Sequence, residues 1–416
     1  MKNDKKPKIR FKGFDDDWEQ CKLSDIADKV TEKNAGLQYI ETLTNSAEFG
    51  IISQRDFFDH DISKMASLDG YYVVRNEDFV YNPRISVTAP VGPINRNKLG
   101  RTGVMSPLYT VFRPHDIDTT YLEHFFKSNY WHSFMNFNGD SGARSDRFSI
   151  KDNVFFEMSI PTPDIEEQRR IGRYLTNFDH LITLHQRKCD KLQKTKKSML
   201  EKMFPQNEAK KPEIRFKGFN DDWEQRKLSE VVKEIKRTDE TSSAPVMMIT
   251  AENGFINQSE RYSTNNAGQS LKKYILLEKG ELAYNHGASK LRPFGSCFSL
   301  TTEEKARIPF VYHCFSSGSE NAEFMSIELN GKAVESQLRR IVSSGARMDG
   351  LLNISFQEYT SIPILLPEKA EQDKIADYFC SLDHLITLHQ RELEKMKYIK
   401  KSMLEKMFVQ ENRIIH

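Results

Sequence analysis

The chain has 416 residues, of which 38% are hydrophobic and 29% charged, and its 61 Lys and Arg residues nearly balance its 59 Asp and Glu residues. No run is apolar for long enough to predict a membrane-spanning helix, and the basic start MKNDKKPKIRF lacks the apolar segment of a secretory signal. The net charge of +2 is small for a chain that binds nucleic acid alone, because such domains often have a pI above ~9. Any phosphate-binding cations should therefore be locally concentrated, or supplied in part by partner chains.

The cysteines indicate the redox setting. There are five, at Cys21, Cys189, Cys297, Cys314 and Cys380, and no two form a C-x-x-C pair. An odd, scattered set is not typical of a disulfide framework or of a structural zinc site. We therefore expect a reducing, cytoplasmic location.

The chain opens on a frame that it uses twice. Pro7 to Leu23 reads PKIRFKGFDDDWEQCKL, and Pro212 to Leu228 reads PEIRFKGFNDDWEQRKL, 205 residues later (212 − 7 = 205). Solenoid units are only 20–50 residues long, so the repeat indicates one large module present twice, with frames at residues 1–23 and 206–228. We expect the acidic cluster Asp15–Asp17 to lie beside a helix start, where carboxylates complement the helix dipole.

Two regions of differing sequence follow the frames. We name residues 24–163 variable region 1 and residues 229–367 variable region 2. Short β-type runs, such as GYYVV and SPLYTVF in the first and KYILL and ARIPFVYHCF in the second, are separated by Gly, Pro and Asn. This pattern predicts strand-rich α/β domains. Both regions close on an Ile-Pro step, at Ile160 and Ile362, which we expect to lead into a helix.

A long helix is predicted after each variable region, at residues 164–205 and 368–416. FDHLITLHQR in the first helix returns as LDHLITLHQR in the second, 204 residues later (382 − 178 = 204), and KKSMLEKMF returns unchanged. Apolar residues recur with the 4-3 spacing of a coiled coil, and the stripe is long enough for a spacer of roughly 50 Å. The predicted core positions are Ile171, Leu175, Phe178, Ile182, His185, Leu192, Ile375, Phe379, Leu382, Ile386, His389 and Leu393.

Polar residues in this stripe predict how the helices pair. A parallel pair would place Lys196 against Lys400 in the seam, whereas an antiparallel pair moves each lysine towards an apolar position. His185 and His389 then act as register-setting core residues, which we prefer to a metal site because no further ligand pattern completes them. The predicted fold is therefore α+β. Two strand-rich α/β domains are separated by two long helices that form an antiparallel coiled coil, with an internal pseudo-two-fold repeat.

Catalytic motifs are absent from the sequence. There is no phosphate loop, no G-x-G-x-x-G, no G-x-S-x-G and no H-E-x-x-H. Asn82-Pro83-Arg84 matches only the first half of the Asn-Pro-Pro-aromatic motif of adenine methyltransferases, so we interpret it as a turn at the end of a strand. The sequence therefore predicts no catalytic residue and no metal ligand.

Three short motifs occur in register in both variable regions and combine turn residues with side chains that can read base edges. Arg can bind guanine and Asn or Gln can bind adenine through paired hydrogen bonds, and Ser-Gly turns offer amides to phosphate. A structural role stays open for single residues, because Arg144 and Arg347 could pair with the helices and Gly50 and Gly254 could be hairpin glycines. The candidate DNA-binding residues are Gln54, Asn82, Arg84, Ser86, Ser141, Gly142, Arg144 and Arg147 in variable region 1, and Gln258, Asn285, His286, Lys290, Arg292, Ser344, Gly345 and Arg347 in variable region 2.

Taken together, these motifs resemble those of the DNA-specificity subunits of type I restriction–modification systems. The resemblance is based on P-x-I-R-F-x-G-F…W-E-x-x-K-L-S, on SGAR followed by Ile-Pro, and on E-Q-x-x-I…D-H-L-I-T-L-H-Q-R…K-K-S-M-L-E-K-M-F, each present twice and in order. It covers essentially the whole chain. It implies two target-recognition domains that each read one half of a split DNA site, with the conserved helices at Glu167–Phe204 and Glu371–Phe408 between them.

The resemblance also implies partners and cofactors. The partners would be double-stranded DNA, two methyltransferase subunits and restriction subunits with translocase activity. No membrane contact is expected. S-adenosylmethionine, ATP and Mg²⁺ would be bound by those other subunits and not by this chain, which would be non-catalytic. The resemblance does not identify base-reading residues, since recognition domains differ among members.

Three alternatives stay open. The chain could be the specificity subunit of a fused, type II-like restriction–methylation enzyme. It could be a freestanding nuclease or methyltransferase, in which case the purified chain would cleave or methylate DNA alone. It could also be a coiled-coil adaptor without DNA contact, which would not show the steep salt dependence that phosphate contacts produce.

Overall fold

The computed structural model describes residues 6–58, 65–140, 146–206, 209–261, 268–342 and 351–409. The chain divides into two compact units: unit 1 comprises residues 1–186 and 390–416, and unit 2 comprises residues 187–389. Each unit thus contains one variable region and part of each long helix. The boundaries that we predict between frames, variable regions and helices stay predictions.

Short strands and helices make up the first frame and variable region 1. The strands are β1 (Glu19–Lys22), β2 (Ala27–Lys29), β3 (Leu43–Ser46), β4 (Gly50–Ser53), β5 (Tyr72–Val74), β6 (Phe79–Tyr81), β7 (Ile94–Arg96), β8 (Gly103–Met105), β9 (Thr110–Pro114) and β10 (Ser159–Thr162). The helices are α1 (Leu23–Ile26), α2 (Gln54–Phe58), α3 (Thr119–Phe126), α4 (His132–Asn138) and α5 (Asp152–Phe155), and the long helix α6 (Ile165–Lys202) follows.

The second half repeats this order of elements. Its strands are β11 (Glu224–Lys227), β12 (Lys233–Glu234), β13 (Met247–Thr250), β14 (Gly254–Asn257), β15 (Ile275–Glu278), β16 (Leu282–Asn285), β17 (Ser296–Ser299), β18 (Lys305–Ile308), β19 (His313–Ser316) and β20 (Pro363–Leu366). Its helices are α7 (Leu228–Val231), α8 (Gln258–Arg261), α9 (Ala322–Leu329), α10 (Lys332–Ile341), α11 (Phe356–Thr360) and the long helix α12 (Lys369–Lys406).

The two variable regions have the same sheet topology. A four-stranded antiparallel sheet has the order β2-β9-β6-β7 in variable region 1 and β12-β19-β16-β17 in variable region 2. Tyr81 lies opposite Thr110 in the first sheet, and Tyr284 lies opposite His313 in the second. Hairpins β3-β4 and β13-β14 and the pairs β5-β8 and β15-β18 complete the two regions. The prediction of two strand-rich α/β regions is confirmed.

Each unit buries aromatic residues between its sheet, a short helix and the end of a long helix. In unit 1, Tyr121 of α3 packs on Phe408, just after α12, with ring centroids 5.3 Å apart. In unit 2, Phe324 of α9 stacks on Phe204, just after α6, at 5.8 Å. Such buried aromatic pairs contribute about 0.5–1.5 kcal/mol beyond the apolar area that they bury.

A buried ion pair ties each frame to the start of a long helix. Glu167 of α6 has no exposed side-chain surface and accepts two hydrogen bonds from Arg10, both 2.8 Å long, and one of 3.1 Å from the Trp18 indole. Glu371 of α12 accepts two from Arg215, at 2.6 and 2.7 Å. Bidentate Arg–carboxylate geometry fixes orientation as well as distance. Each frame is therefore held at one angle to its helix.

The residue after each of these glutamates positions the neighbouring short helix. Gln168 accepts a hydrogen bond of 2.9 Å from the Asp118 amide, at the start of α3, and Gln372 accepts one of 3.0 Å from the Asn321 amide, at the start of α9. Asp118 and Asn321 in turn cap their helices through their side chains. The repeated Glu-Gln pair of the sequence thus connects frame, long helix and variable region.

The Ile-Pro step and the acidic cluster of the first frame lie close to strands. Ile160 lies in β10, which pairs with frame strand β1, and α6 begins at Ile165. The acidic cluster Asp15–Asp17 precedes strand β1 in the chain. The Asp16 carbonyl oxygen accepts a hydrogen bond of 2.6 Å from Arg10, whose guanidinium also binds Glu167 in the first turn of α6. The cluster is thus connected to a helix start through Arg10, while the dipole role expected for its carboxylates stays a prediction.

The long helices α6 and α12 run antiparallel, as the two lysines predict. In unit 1, Lys400 pairs with Asp179. In unit 2, Lys196 pairs with Asp383 at 2.5 Å, and Phe204, just after α6, packs near Phe379 with ring centroids 6.1 Å apart. Within unit 2, the partner number on α12 falls as the residue number along α6 rises, which requires opposite chain directions. Each lysine thus faces a carboxylate of the other helix.

The predicted core positions of the helices differ in burial. Seven are buried: Ile171, Leu175, Ile375, Phe379, Leu382, Ile386 and Leu393. Five are half-buried: Phe178, Ile182, His185, Leu192 and His389. Burial is greatest where the helices also pack against a variable region, because the additional surface covers the stripe from a second side.

Candidate functional site

The loop between β6 and β7 carries the Tyr-Asn-Pro-Arg motif of variable region 1. The Asn82 side chain donates to the Asn45 carbonyl oxygen at 2.8 Å and accepts from the Arg84 amide at 3.0 Å. Asparagine side chains that bond nearby backbone in this way favour turns. Asn82 therefore connects the end of β6 to β3, and its role as a base reader stays a prediction.

Asn285 has the same role between β16 and β17. Its amide donates to the Ile249 carbonyl oxygen at 3.0 Å, and its carbonyl accepts from the Gly287 amide at 2.9 Å. A Cβ atom built on Gly295 would lie 2.6 Å from the Asn285 carbonyl oxygen, and one on Gly92 would lie 2.2 Å from that of Asn82. Both loops thus close on a glycine that approaches the asparagine backbone, and both asparagine side chains bond the backbone nearby.

A tight turn at Ser86–Ala89 forms the tip of the first loop. The Ser86 and Ala89 backbones exchange hydrogen bonds of 3.0 and 3.2 Å, and the Ser86 hydroxyl lies 3.2 Å from that of Thr88. Val87, between them, is fully exposed. The backbone of Arg84 bridges that of Arg147 at the base of the loop. The loop thus displays an apolar tip, two hydroxyls and two nearby guanidinium-bearing residues.

The second loop has a matching tip with different side chains. The Ser289 amide donates to the Arg292 carbonyl oxygen at 3.0 Å, and the Arg292 amide donates to the Ser289 hydroxyl at 3.0 Å. Lys290 and Leu291 lie between them, and Leu291 is 58% exposed. The tip residues Val87 and Leu291 are not among the candidates that the sequence predicts. The signal that could identify them is a serine at equivalent positions of both loops, which begins the four-residue turns Ser86–Ala89 and Ser289–Arg292.

Two candidates in variable region 2 point inward. Arg292 donates to the Asn330 carbonyl oxygen at 2.8 Å, and burial lowers the pKa of its guanidinium. His286 is buried, with its ring nitrogens 2.8 Å from the Leu352 and 2.7 Å from the Val311 carbonyl oxygens. Both side chains thus bond the protein backbone in this structure, and their role in DNA binding stays a prediction.

The Gly-to-Gln motifs lie in the β3-β4 and β13-β14 hairpins. Gly50 and Gly254 have φ angles of 71° and 65°, in the left-handed region that glycine tolerates. The hairpin role that the sequence left open for them is thus the observed one. Gln54 and Gln258 begin helices α2 and α8, directly after these hairpins.

The Ser-Gly-Ala-Arg motifs lie outside the described residues. They contain Ser141, Gly142 and Arg144 in variable region 1, and Ser344, Gly345 and Arg347 in variable region 2. Among the described candidates, Arg84, Ser86, Arg147 and Lys290 lie at or near the two loop tips. Within the described ranges, no group of three or more His, Cys, Asp or Glu side chains is placed to hold a metal ion.

These loops can contact a duplex through mixed chemistry. Valine, leucine and threonine methyl groups can contact the thymine methyl group, hydroxyls can bond base edges, and cationic side chains can contact phosphate or guanine. The two tips differ in these groups while their turns match. In the part of the chain that the structure describes, no helix has the length and apolarity that a membrane crossing requires.

Comparison with known proteins finds a similar family model and two similar proteins. A family model described as the type I restriction modification DNA specificity domain matches residues 15–194. The chain is 23% identical over 429 residues to the type I restriction enzyme MjaVIII specificity subunit of Methanocaldococcus jannaschii, covering 96% of this chain and 94% of that protein. It is 25% identical over 287 residues to the putative type I restriction enzyme MjaX specificity subunit of the same organism, covering 64% and 62%.

A solved structure has the same fold across the chain. The type I restriction-modification system S subunit from M. genitalium superimposes with a TM-score of 0.56 at 13% identity, covering 97% of this chain and 99% of that one. An identity this low supports the architecture alone. The architecture is the one predicted from the repeat, with strand-rich regions and two long helices that pack together.

Proposed function

We propose that the chain is a specificity subunit of a type I restriction–modification system and that it reads a bipartite DNA site, with one block contacted by each variable region. The observation that carries this proposal is the matched pair of loops between β6 and β7 and between β16 and β17. Their turns, asparagines and closing glycines are the same, whereas their exposed side chains differ. Such a pair suits two readers of unlike sequences.

The differing tips suggest what each block contains. Val87 and Thr88 present methyl groups and a hydroxyl, which favours contact with a thymine methyl group in the major groove. Lys290 and Leu291 add a cation, which favours phosphate or a guanine edge. Arg84 and Arg147 supply the corresponding positive charge in variable region 1. Much of the remaining phosphate contact would come from partner subunits, since the net charge of this chain is only +2.

We also propose that the repeated helical sequence L-I-T-L docks methyltransferase subunits. Leu181 and Leu184 in unit 1 are 37% and 39% exposed, and Leu385 and Leu388 in unit 2 are 41% and 46% exposed. Leucines exposed in equivalent positions of both helices indicate contact surfaces, and their identity in the two copies suits two copies of one partner.

The chemistry of modification and cleavage would then belong to the partners. In this proposal S-adenosylmethionine, ATP and Mg²⁺ bind to the methyltransferase and restriction subunits, which work in the cytoplasm. This chain contributes the site and the docking surfaces, and it has no catalytic role.

The proposal is tested by mapping modified bases in cells that express the methyltransferase subunits with and without this chain. We expect methylation at a motif of two short blocks with an unspecified gap, and loss of that motif when the chain is absent. A single contiguous motif, or a motif that persists without this chain, would contradict the proposal.

A further inference from the structure

A cavity of about 440 Å³ lies beside the central sheet of variable region 1. Its lining includes the rings of Tyr72, Tyr109 and Phe148 and the charged groups of Lys29, Arg147 and Asp152. Pockets for small molecules are typically ~300–1,000 Å³ and combine apolar walls with a few polar groups. The cavity therefore has the size and the mixture of groups of a ligand site.

The equivalent space in variable region 2 is filled. Tyr81 and Tyr284 occupy matching sheet positions, so their strand partners Thr110 and His313 also match. Two residues after each tyrosine stand Pro83 and His286. Variable region 1 thus has Thr110 and Pro83 where variable region 2 has His313 and His286. The rings of the two histidines stack with centroids 5.1 Å apart.

A third position completes the contrast. Asp152 is the first residue of α5 and Phe356 is the first residue of α11. The Phe356 ring packs edge-on against His313 at 5.8 Å. Three side-chain rings therefore occupy the space in variable region 2 that stays open in variable region 1.

The open space has a polar wall. Asp152 accepts a hydrogen bond of 3.2 Å from the Thr110 hydroxyl and forms an ion pair with Lys29. Because the burial of Lys29 is partial, both the ammonium and the carboxylate can exchange these contacts for a ligand. The wall thus offers donors from Lys29 and acceptors from Asp152 within one cluster.

The opposite wall offers aromatic faces. The Tyr81 hydroxyl donates to the Val91 carbonyl oxygen at 2.9 Å, and the Tyr81 ring is 2% exposed and stacks on Phe155 with centroids 5.1 Å apart, so Tyr81 supports the wall from behind. Tyr72 has the Lys33 ammonium 3.4 Å from its ring centroid, and the Tyr109 hydroxyl lies 3.3 Å from that of Thr44. Aromatic faces beside hydrogen-bonding groups suit a planar ring with polar edges.

We propose that this cavity binds a nucleobase. Stacking on aromatic side chains is worth about 1–3 kcal/mol per base. Asp152 accepts from an exocyclic amino group, Lys29 donates to a ring nitrogen or carbonyl oxygen, and Arg147 contacts the attached phosphate. Adenine and cytosine fit this pattern best, because both carry an amino group beside an acceptor.

The nucleobase has two sources. It is either a base of the bound duplex that leaves the stack next to the loop between β6 and β7, or the base of a free nucleotide. The first source requires unstacking of about a few kcal/mol, which the aromatic walls offset. The inference rests on the proposed function, and it adds to it that the two variable regions contact their blocks differently.

The test fills the cavity with the residues of variable region 2. The double variant Thr110→His/Asp152→Phe is purified in complex with the methyltransferase subunits, beside the wild type and the milder variant Asp152→Asn. Duplexes carry 2-aminopurine at single positions of the first block, excluding the methylated adenine. We expect a several-fold rise in fluorescence at one position with the wild type, and loss of that rise with the double variant.

A second readout separates the sources. Adenosine and cytidine monophosphates are titrated into the complex without DNA. If a nucleotide binds to the wild type and Thr110→His/Asp152→Phe abolishes that binding, the cavity is a nucleobase site. If no duplex position shows a fluorescence rise in addition, its ligand is a free nucleotide. Asp152→Asn keeps the size of the side chain and should weaken whichever binding is found by about tenfold, through loss of the charged acceptor. It keeps the inference testable if the double variant does not fold.

The inference is overturned if the filled variant and Asp152→Asn bind both blocks as the wild type does, no 2-aminopurine position reports unstacking, and no nucleotide binds. That result leaves the two-block motif intact, so the proposed function stands. Failure of the proposed function is seen separately, as a wild-type complex that shows no two-block motif.

Discussion

Variable regions 1 and 2 share a strand order but differ in what lies beside their central strands. In the first, Thr110 and Asp152 border an open cavity, and in the second, His313 and Phe356 fill the equivalent space. The differences extend to the short helices. Phe125 of α3 and Glu328 of α9 stand the same number of residues after the N-caps of their helices, so an apolar residue in the first region corresponds to a carboxylic acid in the second. The frames and the helix starts thus preserve the architecture of both regions, whereas positions in the interior and in the loops differ between them.

The largest effect is expected where the two frames are most alike. Glu167→Ala leaves the guanidinium of Arg10 buried without its partner, which should reduce the free energy of unfolding of unit 1 by about 3–5 kcal/mol. Glu371→Ala should cost slightly less in unit 2. The reason is that Glu167→Ala also removes the hydrogen-bond acceptor of the Trp18 indole, which costs about 1 kcal/mol. The Trp223 indole has no hydrogen-bond partner among the described residues, so Glu371→Ala has no such additional cost.

Hydrogen exchange of peptides from each unit measures these losses separately. Glu166→Ala is the control, since the Glu166 side chain is 62% exposed and pairs with Arg169 on the same helix. It should change stability by at most about 0.5 kcal/mol. Equal losses for Glu166→Ala and Glu167→Ala would contradict the role of the buried pair.

A pH effect is expected at Glu328 of α9, in unit 2. Burial raises the pKa of Glu328 from 4.5 to about 7. The folded state therefore binds more protons than the unfolded state between these values, so the stabilisation is full below pH 4.5 and is lost as the pH rises through 7. Glu328→Gln should be more stable than the wild type at pH 8 by up to about 3 kcal/mol, with a smaller difference at pH 5.

Hydrogen exchange of α9 at pH 5 and pH 8 checks this. The matched control is Glu335→Gln on α10, whose side chain is 36% exposed and pairs with Arg339 on the same helix, and which should shift stability little at either pH. In unit 1 the equivalent residue is Phe125, so no such pH dependence is expected from this position. A constant difference between wild type and Glu328→Gln at both pH values would show that Glu328 does not titrate in this range.

The two interhelical ion pairs should differ in strength. The Lys400 side chain is 13% exposed, and its burial lowers its pKa, whereas Lys196 and Asp383 are 32% and 53% exposed. Asp179→Asn should cost unit 1 about 2 kcal/mol, because a buried ammonium loses its counter-charge. Asp383→Asn should cost unit 2 less than about 1 kcal/mol. Urea unfolding of the two variants at matched pH compares them, and equal costs would contradict the difference in burial.

The smallest effect concerns DNA binding. Arg84→Ala should weaken binding of the complex by about tenfold through the first block, and Lys290→Ala should act similarly through the second. Competition with duplexes altered in one block at a time identifies the block that each substitution affects. Arg292→Ala is the contrasting variant, since it should lower stability by removing the contact to Asn330. If both alanine variants at the loop tips affected the same block, the assignment of one block to each region would be wrong.

Sequence patterns predicted the repeat, the strand-rich regions and the direction of the helix pair. Periodicity reveals a buried stripe directly, and the positions of Lys196 and Lys400 exclude a parallel pair on electrostatic grounds. The frame contacts were not predicted, because Glu167 and Arg10 are far apart in the chain, although the repeated Glu-Gln pair was a visible signal.

The candidate site was harder to predict. Asn82, Asn285 and Arg292 have the chemistry of base readers, but their side chains bond local backbone instead, and this competition depends on the turn geometry. The cavity could not be predicted, since it arises from Thr110 and Asp152 meeting across separate elements. Whether the candidates in the two loops bind DNA stays a prediction.

The central claim is that each variable region reads its own block, and a region exchange tests it most directly. Residues 24–160 are replaced by the equivalent segment of a specificity subunit with a different motif, and methylated bases are mapped in cells that carry the hybrid complex. We predict that one block changes while the other block and the gap length stay as in the wild type. A change in both blocks, or in neither, would contradict the account.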